Sequence, residues 1–119
     1  MKKMIVLMLI FGLTLNCDDI IEIEDITNKQ VEILAPSDNS VLVPSNITFS
    51  WTALEQVDSY HLQIATPNFE NATQIIIDTL VVATNLSNEL SLGDYQWRVR
   101  AQNSQYQTQY TTQNFSIEE

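Results

Sequence analysis

One histidine, His61, and one cysteine, Cys17, are the side chains of this 119-residue sequence best suited to nucleophilic, acid–base or metal chemistry. An imidazole working as a general base needs a nucleophile to activate and a third group to orient it. His61 lies in "YHLQIA", out of phase with Tyr60, Leu62 and Ile64, so it is expected to face solvent with no nucleophile to activate. It has no His or Cys companion for a metal. Glu55 and Asp58 flank a loop, and a carboxylate pair for glycosidic chemistry needs a fixed separation inside a cleft. The expectation is therefore a non-enzyme without cofactor or metal.

Binding chemistry has two candidate locations. His61, Gln63, Arg98 and Arg100, with Gln96, Asn114 and Ser116, fall in the outward phase of their segments and would share one sheet face. There the arginines either pair with local acids or form a recognition face for an acidic or glycan partner. The second location is a pair of loops, "TALEQVD" with Glu55 and Asp58, and "NSQYQTQY" with Tyr106 and Tyr110. Tyrosine among Ser, Asn and Gln suits a binding loop, because it offers a large contact area with few torsions to immobilise. The partner would be an envelope protein or a glycan. Nucleic acid is excluded by charge: 15 acids against 5 bases give a net −10, which phosphate backbones repel.

The elements that must position these residues read as β-strands. "ITFSW" alternates Ile47, Phe49 and Trp51. "YHLQIA" alternates Tyr60, Leu62 and Ile64. "DYQWRVRAQN" alternates Tyr95, Trp97, Val99 and Ala101 against Gln96, Arg98 and Arg100. Period-two alternation of aromatic and β-branched residues marks half-buried strands. Further strands are expected at 31–34, 74–77, 80–83 and 115–117, with 74–83 readable as one strand or two. Seven strands with turn signals at about ten-residue spacing suggest a two-sheet sandwich.

These segments resemble a fibronectin type III domain over about residues 31–117. Trp51 matches that family's inward tryptophan on an early strand, and Tyr60 and Leu62, with Ile64, match the face of the next. Tyr95 matches the tyrosine of its tyrosine corner, with Trp97 and Val99 continuing the strand; Leu92 stands where many members carry proline. The resemblance implies an all-β, immunoglobulin-like sandwich, with the Tyr95 hydroxyl bonded to backbone a few residues upstream. It implies nothing specific about activity.

The N-terminal segment specifies an address. Lys2 and Lys3 precede "MIVLMLIFGLTL", twelve uncharged residues, too few to span a membrane and suited to a secretory signal. Cys17 follows, and a lone cysteine in an exported chain cannot form an internal disulfide. "TLNC" resembles the lipobox of bacterial lipoproteins, with Asn16 where a smaller residue is usual. That resemblance implies a signal peptide over 1–16 and acyl chains on Cys17 holding the protein to the membrane. Residues 17–29 are then the lipidated cysteine and an acidic tether, and 30–119 the sandwich domain. Loss of the leader leaves 3 bases against 15 acids, a net of −12.

Asp18, Asp19, Glu22, Glu24 and Asp25 also resemble the surface-export signal of Bacteroidota lipoproteins, which implies an outer-membrane, surface-exposed location. In the same setting "DTL" resembles an O-glycosylation site with Thr79 as acceptor. The layout as a whole resembles small lipoproteins of that group with one such domain. The expected role is an interaction or spacer module. The alternative is a glycan-binding accessory lipoprotein of a surface uptake system.

Overall fold

The computed structural model describes residues 22–119. Cys17, Asp18, Asp19 and the leader over 1–16 lie outside the described residues. Eight strands form two sheets packed face to face. The smaller sheet has the order β1 (Ile33–Ala35), β3 (Ser45–Trp51), β6 (Asn85–Leu90), and all its pairs are antiparallel. The larger has the order β2 (Ser40–Leu42), β8 (Thr111–Ile117), β7 (Gly93–Gln102), β4 (Ser59–Thr66), β5 (Gln74–Val81). Its pairs are antiparallel except β2 with β8, which run parallel.

The strand count is therefore eight, not seven. The apolar runs 74–77 and 80–83 belong largely to one strand, β5, with Asp78 and Thr79 inside it. Two strands have weak sequence signals: β2 is three residues long, and β6, "NLSNEL", has only Leu86 and Leu90 for its inward phase. The first strand begins at Ile33, although Val31 before it is already buried.

Alternation produces the core. In β7, Tyr95, Trp97, Val99 and Ala101 are buried while Gln96, Arg98 and Arg100 are half-exposed. Tyr60, Leu62 and Ile64 of β4 and Phe115 and Ile117 of β8 continue the same inner face. Ile47, Phe49 and Trp51 of β3 meet it from the other sheet. The centre is aromatic and packed edge to face: Phe49 lies 5.0 Å from Trp97 and 5.7 Å from Phe115, and Trp51 lies 5.5 Å from Tyr60. Such pairs add about 0.5–1.5 kcal/mol each beyond the area they bury.

Two tyrosine hydroxyls fasten loops to this core. Tyr95 donates to the Ser91 carbonyl at 2.8 Å, closing the corner before β7. Gly93 within that corner has φ +149°, a conformation that side-chain-bearing residues rarely adopt. Tyr60 accepts from the Leu54 amide at 3.0 Å and holds the β3–β4 loop.

The acidic segment is docked over its second half. Ile26, inside the expected tether, is 0% exposed. The Glu24 carbonyl accepts from Asn103 Nδ2 at 3.0 Å, and Glu24 pairs with Lys29 at 3.1 Å. The Thr27 hydroxyl and amide both donate to Asp25 Oδ1, at 2.6 and 2.9 Å, and hold that carboxyl below its ordinary range. The chain is thus fixed to the sandwich well before residue 30.

Candidate functional site: the outer face of the five-stranded sheet

Register places the polar residues of β4, β5 and β7 side by side. His61 is opposite Arg100, and Gln63 is opposite Arg98 on one side and Asp78 on the other. All lie in the phase opposite to the core. Two loops then fold over this face. Residues 67–73, between β4 and β5, bring Phe69, whose amide donates to Gln96 Oε1 at 2.9 Å. Residues 103–110, between β7 and β8, bring Tyr110.

Tyr110 is placed by Thr108, which is buried. The Ala101 amide donates to Thr108 Oγ1 at 3.0 Å, and the Thr108 amide donates to the Ala101 carbonyl at 2.9 Å. This doubled bond pulls the end of the loop onto β7, and Tyr110 lands on the arginines. The Arg98 guanidinium carbon sits 4.0 Å from the Phe69 ring centroid and 4.3 Å from that of Tyr110. Arg100 sits 4.6 Å from the Tyr110 centroid. Cation–π contacts of this kind contribute about 0.5–1 kcal/mol each where solvent reaches them.

A second chain of contacts runs through His61. Its Nε2 lies 2.6 Å from Asp78 Oδ1, and its Nδ1 lies 2.6 Å from the Tyr110 hydroxyl. The carboxylate can only accept, so Nε2 carries the proton. In a neutral ring Nδ1 then accepts from the Tyr110 O–H. The bond from His61 holds the Asp78 carboxyl below its ordinary range; desolvation opposes it, and Gln63 and the Arg98 charge reinforce it. Chemically, the Asp78–His61–Tyr110 chain fixes one imidazole tautomer and clamps the phenol between strand and loop.

Two expectations change here. His61 points outward, but its side chain is only 19% exposed because Tyr110 lies against it, and Asp78 supplies the orienting group that the sequence did not reveal. The arginines do not pair with acids. Among the described residues Lys29–Glu24 is an ion pair and His61–Asp78 becomes one only when the ring is protonated, and neither guanidinium takes part in such a pair. Arg98 Nε instead donates to Gln63 Oε1 at 2.7 Å, and Arg100 Nε is buried without a partner.

The loop candidates separate. Asn103 Nδ2 donates to the Gln56 carbonyl at 3.0 Å, so the two loops do lie at one end of the sandwich. Asn103 Oδ1 accepts from the amides of Gln105 and Tyr106 and shapes the turn. Tyr106 lines an open depression of about 440 Å³ with Glu22, Ile23, Glu24 and Asp25, whereas Tyr110 belongs to the sheet face. Glu55 and Asp58 are exposed, and the Glu55 carbonyl lies 3.5 Å from Lys29 Nζ. Thr79 is opposite Leu62, on the core side of β5, and is half-buried. Among the described residues no group of three or more His, Cys, Asp or Glu side chains is arranged to hold a metal ion.

Asp78, Phe69 and Thr108 are the residues that sequence reasoning missed. The outward phase of β5, once that segment is taken as a single strand paired with β4, would have found Asp78. Phe69 and Thr108 lie in loops without periodicity and carry no such signal.

No protein-family model matches the sequence, and no curated protein matches it. Solved structures do. The fibronectin(III)-like modules of Clostridium thermocellum CbhA superpose with a TM-score of 0.54 at 11% identity, over 75% of this chain and 96% of theirs. A fibronectin type III domain from the human KIAA0970 protein superposes with a TM-score of 0.56 at 11% identity, over 78% of this chain and 76% of that one. At such identity the likeness establishes the fold: the chain carries a fibronectin type III-like two-sheet sandwich.

Proposed function

We propose that this chain is a lipid-anchored cell-envelope protein whose fibronectin type III-like sandwich serves as a non-catalytic interaction or spacer module. The observation that carries the reading is the combination of a fastened sandwich with the apolar leader and lone Cys17 ahead of it. Acyl chains on Cys17 would hold the protein at the outer membrane, and the acids at 18–25 would direct it to the cell surface. Docking of Ile26 limits the free tether. Nine residue steps separate Cys17 from Ile26, so the domain would stand within about 30 Å of its anchor.

The glycan-binding alternative needs an open aromatic platform. Tyr110 is engaged by Arg98, Arg100 and His61, which leaves Tyr106 alone beside an acidic depression. The interaction or spacer reading is therefore preferred.

Metabolic labelling with an alkyne fatty acid tests the anchoring. The wild type should label and sediment with membranes, and Cys17→Ala should do neither. An unlabelled, soluble wild type would overturn the anchor. Protease treatment of intact cells tests the surface location, and complete protection would refute it.

A further inference from the structure

The outer face of the large sheet holds two arginines that form no salt bridge, although Asp78 stands near Arg98. Among the described residues the bases are Lys29, Arg98 and Arg100, and Lys29 is matched by Glu24. Arg98 and Arg100 stand on alternate positions of one strand, stacked against Phe69 and Tyr110. Stacking occupies the flat faces of a guanidinium and leaves its in-plane N–H donors unused. Arg98 spends Nε on Gln63; its terminal nitrogens, and the guanidinium nitrogens of Arg100, make no other side-chain hydrogen bond among the described residues. Arg100 Nε is buried in that condition, an uncommon one for a native polar group, so an incoming acceptor would meet the terminal nitrogens. Gln63 and the aromatic rings hold the planes in place, so little rotamer freedom remains to be lost on binding.

We propose that Arg98 and Arg100 form a binding site for an acidic polypeptide segment, each guanidinium edge taking a Glu or Asp carboxylate. Three observations select this occupant. Planar guanidiniums match carboxylates through paired hydrogen bonds. Asp78 beside the arginines reduces the local formal charge, within a chain of net −10, so the face suits one or two carboxylates rather than a dense polyphosphate. Phe69 and Tyr110 each have guanidinium stacked against them, which reduces the ring surface open to a sugar. Leu80, directly opposite His61 on β5 and 56% exposed, offers apolar ground for a residue next to the carboxylates. The proposal rests on the interaction-module half of the proposed function and is independent of Cys17, so fatty-acid labelling and the titration below succeed or fail separately.

The test is an NMR titration of the full chain, in non-ionic detergent at low salt, with the capped peptide Glu-Leu-Glu-Leu-Glu. The arginine Nε–H signals and the Tyr110 ring report binding. Shifts confined to Arg98, Arg100 and their neighbours, absent with the Gln-Leu-Gln-Leu-Gln peptide, are expected. Arg100→Gln should weaken binding about tenfold, as loss of one charge-assisted contact implies. Arg100→Lys keeps the charge but not the fork, so it decides the matter if the glutamine variant does not fold; it should also bind less tightly. Tyr110→Phe keeps the stack and should bind as the wild type does. No shift on titration, equal binding by Arg100→Lys, or equal or tighter binding of inorganic phosphate or tetragalacturonate would overturn the proposal.

Discussion

The two faces of the five-stranded sheet are built from the same strands, one residue out of step. On β7 the inner phase is Tyr95, Trp97, Val99 and Ala101, and the outer phase is Gln96, Arg98 and Arg100. The inner face is held by area and shape: apolar surface is removed from water and aromatic edges meet aromatic faces. The outer face is held by direction. Arg98 is set by Gln63 and two rings, and Tyr110 by His61 and two guanidiniums. Inner contacts therefore determine whether the domain folds. Outer contacts determine where a few donors point, which is the requirement of a recognition surface.

The widest separation between the faces should appear in chemical denaturation. Trp97→Ala empties the middle of the core, and large-to-small changes of this kind cost about 3–5 kcal/mol. Tyr110→Ala removes two cation–π contacts and one hydrogen bond from a half-exposed site, and about 1–2 kcal/mol is expected. Equal costs for the two would show that the outer cluster is part of the stability core after all. A smaller effect comes from the corner: Tyr95→Phe loses only the bond to the Ser91 carbonyl, about 1 kcal/mol, read as a shift in denaturation midpoint at constant slope.

This contrast also explains what the sequence could reveal. The inner face repeats along each strand, so Trp51, Tyr60, Leu62, Tyr95, Trp97 and Val99 were legible from alternation within single segments. The outer phase of Arg98 and Arg100 was legible for the same reason. Their partners were not. Asp78 reaches His61 because β5 pairs with β4, and Tyr110 reaches His61 across 49 residues because Thr108 ties a loop to Ala101. Neither contact follows from local spacing, so His61 read as a lone imidazole and Tyr110 as a binding-loop residue. The short β2 and the polar β6 escaped because their signals are weak: β2 has three residues, and β6 places Leu86 and Leu90 four apart.

The smallest effect tests whether the outer face contributes any stability through charge. Hydrogen bonding from His61 lowers the Asp78 carboxyl in the folded protein, against an ordinary aspartate value of about 3.9 in the unfolded chain. A group lowered on folding adds stability that is present above its unfolded value. That stability is lost as pH falls through the folded value, because the proton then binds the carboxylate and removes the acceptor for His61. Wild type and Asp78→Asn should therefore differ throughout the range above about pH 4, with the wild type the more stable. The gap should begin to close near pH 4 and vanish at still lower pH. Asp78 is 55% exposed, so solvent screens the pair and the gap stays small. Denaturation midpoints of both proteins across that range measure it. A gap that widens on acidification would mean that Asp78 does not stabilise the fold as the acceptor of His61. A gap that closes, joined to intact Tyr110 contacts in Asp78→Asn, would show that the carboxylate sets the imidazole while the arginines alone hold the ring.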